Sequence, residues 1–178
     1  MIREVTVALT LTICASAHAE PRALGVDATL GLPLSPWIHA TGNGGGGSLW
    51  LHVPITPLVD VTSRLGAIVH ADRPVAGVTG ARARLSEIPL FGGARIRVTD
   101  GRVRGYLEGE VGFVFRRVDV DVQNLSDNSA RIRFASALGA AIEIDRFDLR
   151  AAAWLADLAD LDHETGVVIS LGAKFYAF

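Results

Sequence analysis

Alternation of apolar and polar residues at every second position is the feature that most limits how this chain can fold. Between Leu24 and Leu34, leucine, valine and alanine occupy the even positions, whereas glycine, aspartate, threonine and proline occupy the odd ones. Side chains of an extended strand point alternately to its two faces, so this period of two indicates a β-strand with one apolar face. The pattern predicts eight strands, within residues 24–34, 49–55, 59–69, 88–98, 103–115, 132–144, 148–158 and 167–175.

Two of these segments depart from simple alternation. The fifth changes phase near Arg116 and Arg117, which predicts a β-bulge there. The seventh is rich in alanine and also contains apolar spacings that a helix could use. We assign it as a strand because its neighbours along the chain are strands.

The connections between the segments alternate in length. Residues 56–58, 99–101 and 145–148 form tight turns that contain Pro, Asp or Gly, whereas residues 35–47, 71–86, 123–128 and 160–166 form longer loops. An even number of strands joined in this way runs up and down, with both ends of the chain on the side of the short turns. The expected architecture is an all-β antiparallel meander in a single domain.

Bulk composition excludes several kinds of partner. The 178 residues carry a formal net charge of −2, so no electrostatic attraction to nucleic acid is expected. Beyond the first nineteen residues, no apolar run reaches the roughly 18 to 20 residues that a membrane-spanning helix requires. A helical membrane protein is therefore not expected.

The first nineteen residues read as a secretory signal peptide. Arg3 precedes an apolar run from Val5 to Cys14, and the small residues Ala17 and Ala19 follow it. We expect cleavage before Glu20, which leaves residues 20–178 as the mature domain. Cys14 is the only cysteine, so the mature domain would form no disulfide in an oxidising compartment.

Eight strands with short turns at one end and long loops at the other resemble the small OmpA/OmpX-type outer-membrane β-barrels of Gram-negative bacteria. The resemblance implies a closed eight-stranded antiparallel up-and-down transmembrane β-barrel with a structural or surface-interaction role. It also implies that outer-membrane lipid, including lipopolysaccharide, is a partner and that the outer-membrane assembly machinery inserts the protein. A monomeric state is expected. No cofactor and no enzymatic activity are expected.

The same family ends its last strand in an aromatic residue that the assembly machinery reads. Phe178 corresponds to that residue, and we expect Phe175 and Tyr176 to complete the assembly signal. Phe175 shares parity with the apolar positions of its strand, whereas Tyr176 and Phe178 have the opposite parity. Either the strand slips near its end or only Phe175 faces lipid.

Charged residues occupy the parity opposite to the apolar one in several strands. In a membrane barrel these residues would face the lumen, where they must pair because buried charges are costly when unpaired. The expected lumen charge network contains Arg64, Arg95, Arg104, Glu108, Glu110, Arg133 and Glu143. Eight strands leave an interior just wide enough for side chains, so we expect a plugged lumen and no general pore.

A soluble lipocalin-like barrel is the main structural alternative. It would use the same alternation with the apolar face inside and the charged face outside, where it could bind a ligand. A lipid-modifying outer-membrane enzyme is the alternative of a different functional class. Related lipid A deacylases present a His and a Ser two residues apart on one strand, and His39, His52, His70 and His163 have no Ser at that spacing. We therefore name no catalytic residue.

Three further motifs are open to a functional interpretation. Arg73, Arg82 and Arg84 share one predicted loop and could contact the phosphates of lipopolysaccharide. The glycines of "GNGGGG" are interpreted as a flexible loop, because no helix follows to build a nucleotide site. The acidic stretch from Asp157 to Glu164 has no EF-hand spacing, and no metal site is expected there.

Overall fold

A computed structural model describes residues 22–34, 41–74, 79–122, 125–158 and 165–177. The predicted signal peptide and Phe178 lie outside these ranges. Eight long strands are present, as predicted, together with one strand of two residues. They are β1 (Ala23–Pro33), β2 (Gly44–Pro54), β3 (Val59–His70), β4 (Arg73–Pro74), β5 (Ala81–Arg97), β6 (Val103–Val122), β7 (Leu125–Ile144), β8 (Phe147–Leu155) and β9 (Thr165–Ala177).

The strands form one closed antiparallel sheet. Consecutive long strands pair with one another, and pairing of β1 with β9 closes the sheet, while β3 pairs directly with β5. The short β4 adds to the edge of β5 on the long-loop side. Closure leaves no long strand with an unpaired edge inside a lipid environment, where an unsatisfied backbone amide costs several kcal/mol. The predicted up-and-down barrel is confirmed.

The surface of the barrel is inverted relative to a soluble protein. Every long strand exposes large apolar side chains, for example Val26, Leu49, Leu65, Leu90, Val111, Leu138, Leu149 and Leu171. Every long strand also buries polar or charged side chains, for example Asp27, His52, Arg64, Arg95, Glu110, Glu143, Arg150 and Ser170. A lipocalin-like barrel has the opposite arrangement, so the soluble alternative is wrong and the charged parity faces the lumen.

The apolar exterior has the height of a bilayer core. On β6 the outward apolar residues begin at Val103 and end at Phe115. The rise of about 3.3 Å per residue and a strand tilt of about 40° make this band roughly 30 Å tall. Within the described ranges, no helix is long and apolar enough to cross a membrane.

Three strands continue well beyond this band on the long-loop side. β5 is 17 residues long, and β6 and β7 are 20 residues each. Most of the described residues in the predicted loops 71–86 and 123–128 are therefore paired strand. Outward positions after Phe115 carry Arg117, Asp119 and Asp121, because that part of the sheet faces water instead of lipid.

The bulge expected at Arg116 and Arg117 is absent from the described strands. β6 keeps one unbroken register with β5 and with β7 through both residues. Arg116 points inward and is buried, and Arg117 points outward. The apparent change of phase in the sequence is a change of environment at the edge of the apolar band, since the outward face becomes polar there.

The last four residues of the glycine-rich segment are also strand and not loop. Gly44 to Gly47 form the first residues of β2 and pair with β3. A Cβ atom on Gly46 would collide with the Ala67 carbonyl oxygen, and one on Gly47 would lie 2.8 Å from the Asp27 carbonyl oxygen. The glycines allow neighbouring backbones to approach closely, so the interpretation as a flexible loop was wrong.

The short turns lie where the sequence places them. Gly101, with φ +116°, turns the chain between β5 and β6, and Asp145, with φ 55°, turns it between β7 and β8. Both angles lie in the left-handed region that glycine and aspartate tolerate better than most residues. The alanine-rich seventh segment is the regular strand β8, which confirms its assignment.

Candidate functional site

A lower charge network occupies the lumen next to the short turns. Arg95 Nε donates to Asp60 Oδ2 at 2.6 Å, and Arg95 Nη2 lies 3.5 Å from Glu143 Oε2. Lys174 Nζ donates to Glu143 Oε1 at 2.9 Å. The guanidinium carbon of Arg95 also lies 4.0 Å from the centre of the Tyr106 ring, which adds a cation–π contact. These contacts connect β3, β5, β6, β7 and β9.

A middle charge network lies farther along the strands toward the long loops. Arg150 Nε lies 2.5 Å from Glu108 Oε2, and Arg150 Nη2 lies 2.6 Å from Glu110 Oε2. Arg64 contacts the same Glu110 at 3.5 Å and also pairs with Asp27. Ser48 Oγ donates to Asp27 Oδ1 at 2.6 Å, which brings β2 into the network. Two guanidiniums therefore pair with three carboxylates across the barrel.

An apolar layer follows the middle charge network. Phe91 and Trp154 meet edge to face with their ring centroids 6.0 Å apart. They pack in one buried cluster with Ile68, Leu85, Val114, Ala135, Ala156 and Val168. A cavity of about 20 Å³ lies between this layer and the guanidiniums of Arg64 and Arg150, which is room for about one water molecule.

An upper charge network lies beyond the apolar layer. Arg116 donates from Nε and Nη2 to Glu87 Oε1 at 3.0 and 2.8 Å. His70 Nε2 lies 3.1 Å from the other Glu87 oxygen, and His70 Nδ1 lies 2.8 Å from the Gly42 carbonyl oxygen. Glu87 is nearly fully buried, so these contacts supply the partners that a buried carboxylate needs.

The seven residues expected in one network are distributed over different parts of the lumen. Arg95 and Glu143 belong to the lower charge network, and Arg64, Glu108 and Glu110 belong to the middle one. Arg104 lies 3.7 Å from Glu143, but its side chain is 36% exposed. Arg133 lies apart from these residues and contacts Asp157 at 3.2 Å.

Sequence reasoning missed several members of the networks. Arg150 belongs to the alanine-rich segment whose parity was ambiguous, and Arg116 was obscured by the supposed bulge. Asp27, Glu87 and Lys174 all occupy the polar parity of their strands, which is the signal that could have identified them. The alternation of apolar and polar residues shows which side chains face the lumen. It does not show how far along the barrel axis each one lies or which residue it contacts.

The strand that carries the expected assembly signal slips near its end. Gly25 pairs with Lys174 and Leu24 pairs with Tyr176, so Phe175 is the extra residue of a bulge. Phe175 is 58% exposed on the outer surface. The shift brings the backbone of Tyr176 into register with Leu24. Of the two possibilities left by the parity argument, the structure has the slipped strand.

The three arginines considered for lipopolysaccharide lie on paired strands and not in a loop. Arg82 and Arg84 share the outward face of β5, whereas the register of Arg73 opposite Ala83 puts Arg73 on the other face. Arg82, Arg84 and Arg117 line an outward depression of about 330 Å³ together with the carboxylates of Asp72, Asp119 and Asp121. The surface is therefore of mixed charge.

The candidate catalytic and metal residues do not converge. His52 stacks on Trp50 at 4.2 Å between ring centroids, and both His52 and His70 are buried in the lumen. His39 and His163 lie outside the described residues. Asp157 contacts Arg133, and the rest of the acidic stretch is almost wholly outside the described ranges. Within those ranges no group of three His, Cys, Asp or Glu side chains could hold a metal ion.

Comparison with known proteins gives structural matches only. The sequence matches no family model and no curated protein. The structure is similar to the attachment invasion locus protein Ail of Yersinia pestis, with a TM-score of 0.63, 13% identity, and coverage of 90% of this chain and 99% of that one. A second Ail structure, in complex with the heparin analogue sucrose octasulfate, has a TM-score of 0.62 at 13% identity, with the same coverage.

A further match is Neisserial surface protein A, with a TM-score of 0.51 and 14% identity over 86% of this chain and 97% of that one. At these identities the likeness concerns the fold. The fold is that of the small eight-stranded outer-membrane barrels, as the sequence pattern predicted.

Proposed function

We propose that this chain is a bacterial outer-membrane β-barrel with a structural or surface-interaction role, a closed lumen and no enzymatic activity. The observation that carries the proposal is the inverted barrel, with apolar side chains outside and ion pairs inside. Such a surface is stable in lipid and would aggregate in water. Residues 1–19 would act as the signal peptide, and the long-loop side would face the exterior with both ends of the domain in the periplasm.

Fractionation tests the location. Cells that produce the full chain are lysed without detergent, and inner and outer membranes are separated on a density gradient. We expect the protein in the outer-membrane fraction and in no soluble fraction, and a single size consistent with a monomer after extraction. Recovery from the soluble periplasm would refute the proposal.

The packing of the lumen supports a closed barrel. Three charge networks and an apolar layer lie along the lumen, and the cavity at mid-height has a volume of only about 20 Å³. An ion crossing this interior would have to displace paired guanidiniums and carboxylates and then pass Phe91 and Trp154. Planar-bilayer recording of the purified protein, with a porin as positive control, should show no stable conductance. A porin-sized conductance would contradict the closed lumen.

Lipopolysaccharide is the partner that we propose for the outer surface. Arg82 and Arg84 face outward above the apolar band, at the level where phosphates of the lipid would lie. Guanidinium groups bind phosphate with two hydrogen bonds at once. We expect the R82Q/R84Q variant to retain less lipopolysaccharide after gel filtration than the parent. R73Q is the matched control, because Arg73 belongs to the opposite face; an equal loss in R73Q would argue against this site.

A further inference from the structure

A pocket lies on the inner wall of the barrel mouth, beyond the apolar layer. Arg116 and Val118 of β6 and Ser129, Arg131 and Arg133 of β7 line a space of about 140 Å³. We call it the inner arginine pocket. All five residues have the inward parity of their strands, so the pocket is separated by the sheet from the outward depression that contains Arg82 and Arg84.

The register brings like charges together in this pocket. Arg116 and Arg131 are directly opposite each other in the β6–β7 ladder, and Arg133 follows on the same face of β7. Like charges directly opposite on one face of a sheet destabilise it unless something compensates them. Negative charge between these arginines would therefore stabilise this part of the sheet.

Two carboxylates of the described residues contact the arginines of this pocket. Glu87 accepts from Arg116 and also faces His70, and Asp157 lies 3.2 Å from Arg133. Within the described parts of the chain, Arg131 makes no hydrogen bond or ion pair, and the buried Nε of Arg133 has no hydrogen-bond partner. Arg131 and the Nε of Arg133 therefore keep N–H donors that no described residue uses.

From this geometry we propose that the inner arginine pocket binds the phosphate or sulfate group of a small water-soluble molecule. Tetrahedral oxyanions suit guanidinium donors, because two N–H groups of one arginine match two oxygens of the anion. The Ser129 hydroxyl supplies a further donor. The pocket opens on the lumenal side of the sheet, so its ligand arrives from water and not from the lipid face.

The test measures binding of inorganic phosphate and inorganic sulfate to the full domain in lipid nanodiscs by calorimetry, at constant ionic strength. R131Q removes the uncompensated guanidinium, and we expect it to weaken binding by about tenfold or more. R102Q is the matched control, because it removes the same charge at an exposed arginine that lies on the short-turn side and pairs with Asp145. R102Q should bind as the parent does.

Two results would overturn the proposal: no saturable binding by the parent, or equal losses in R131Q and R102Q, which would indicate attraction by bulk charge. Because Arg131 is exposed and lies opposite Arg116, R131Q should keep or raise the parent's unfolding midpoint, and a loss of binding would not reflect misfolding. Competition by glucose 6-phosphate distinguishes a phosphorylated solute from the free inorganic ion as the ligand. If it competes with inorganic phosphate, the pocket takes a phosphorylated solute; if only the inorganic ion binds, it takes the free ion.

Discussion

Arg150 of β8 donates to Glu110 of β6 across the intervening strand β7, with 2.6 Å between Nη2 and Oε2. The same guanidinium holds Glu108, and Glu110 continues the middle charge network to Arg64. A single side chain therefore connects two strands that share no backbone hydrogen bonds. Its removal should affect the whole barrel and not only one pair of strands.

Replacing Arg150 by Leu is expected to lower the free energy of unfolding by about 3–5 kcal/mol, because it leaves the Glu108 carboxylate buried without its partner. Arg104→Leu is the control. Arg104 is partly exposed, and Glu143 keeps Lys174 and Arg95, so the loss should be at most about 1 kcal/mol. Reversible urea unfolding in lipid vesicles measures the free energy of unfolding of both variants. Equal losses would show that Arg150 is not buried in a network.

A charge placed on the outer wall tests the position of the apolar band. Val111→Arg inserts a cation at the middle of the band and should destabilise the inserted barrel by about 2–4 kcal/mol. Asp121→Arg, on the same face of β6 but above the band, should change it by about 1 kcal/mol or less. Urea unfolding in lipid vesicles measures both changes in stability. A large loss in D121R would mean that lipid extends farther along β6 than Phe115.

The proposed assembly signal predicts a kinetic defect. Phe178→Asp should slow the appearance of folded protein in the outer membrane, because the terminal aromatic would no longer be available to the assembly machinery. Asn128→Asp adds the same charge at an exposed position of β7 and should leave assembly unchanged. Pulse-labelling followed by extraction at successive times measures the rate. Normal assembly of F178D would remove the role assigned to the terminal residues.

Above the apolar band, one ion pair should respond to acid. The hydrogen bond from Arg84 Nε to Asp72 Oδ1, 2.7 Å long, lowers the pKa of Asp72 below its ordinary value of 3.8. A carboxyl whose folded pKa is depressed stabilises the fold above the unfolded pKa and loses that contribution as the pH falls through the folded value. The effect is confined to pH below about 4 and is weakened by salt. The titration of Asp72 followed by carbon NMR should move to higher pH in R84Q; an unmoved midpoint would show that the pair does not form in solution.

Eight strands, their lumenal and outward faces and the turn positions follow from the sequence because each depends on local alternation and turn chemistry. The contacts inside the lumen do not follow, because strand tilt and stagger decide which rows of side chains meet. Arg133 and Arg104 have the lumenal parity, yet one contacts Asp157 and the other lies near the rim. The ends of β5, β6 and β7 were underestimated because alternation inverts where water replaces lipid, as between Phe115 and Arg117.

The continuation of β6 and β7 past the lipid makes this part of the outer surface stiff. From Phe115 to Val122 the two strands remain fully paired and advance roughly 20 Å along their axis. A fully paired ladder of this kind bends little, whereas an unpaired loop of the same length would be flexible. The described end of this ladder therefore lies at a fixed distance from the apolar band. A force applied at the tip is carried by the hydrogen bonds of the wall into the barrel.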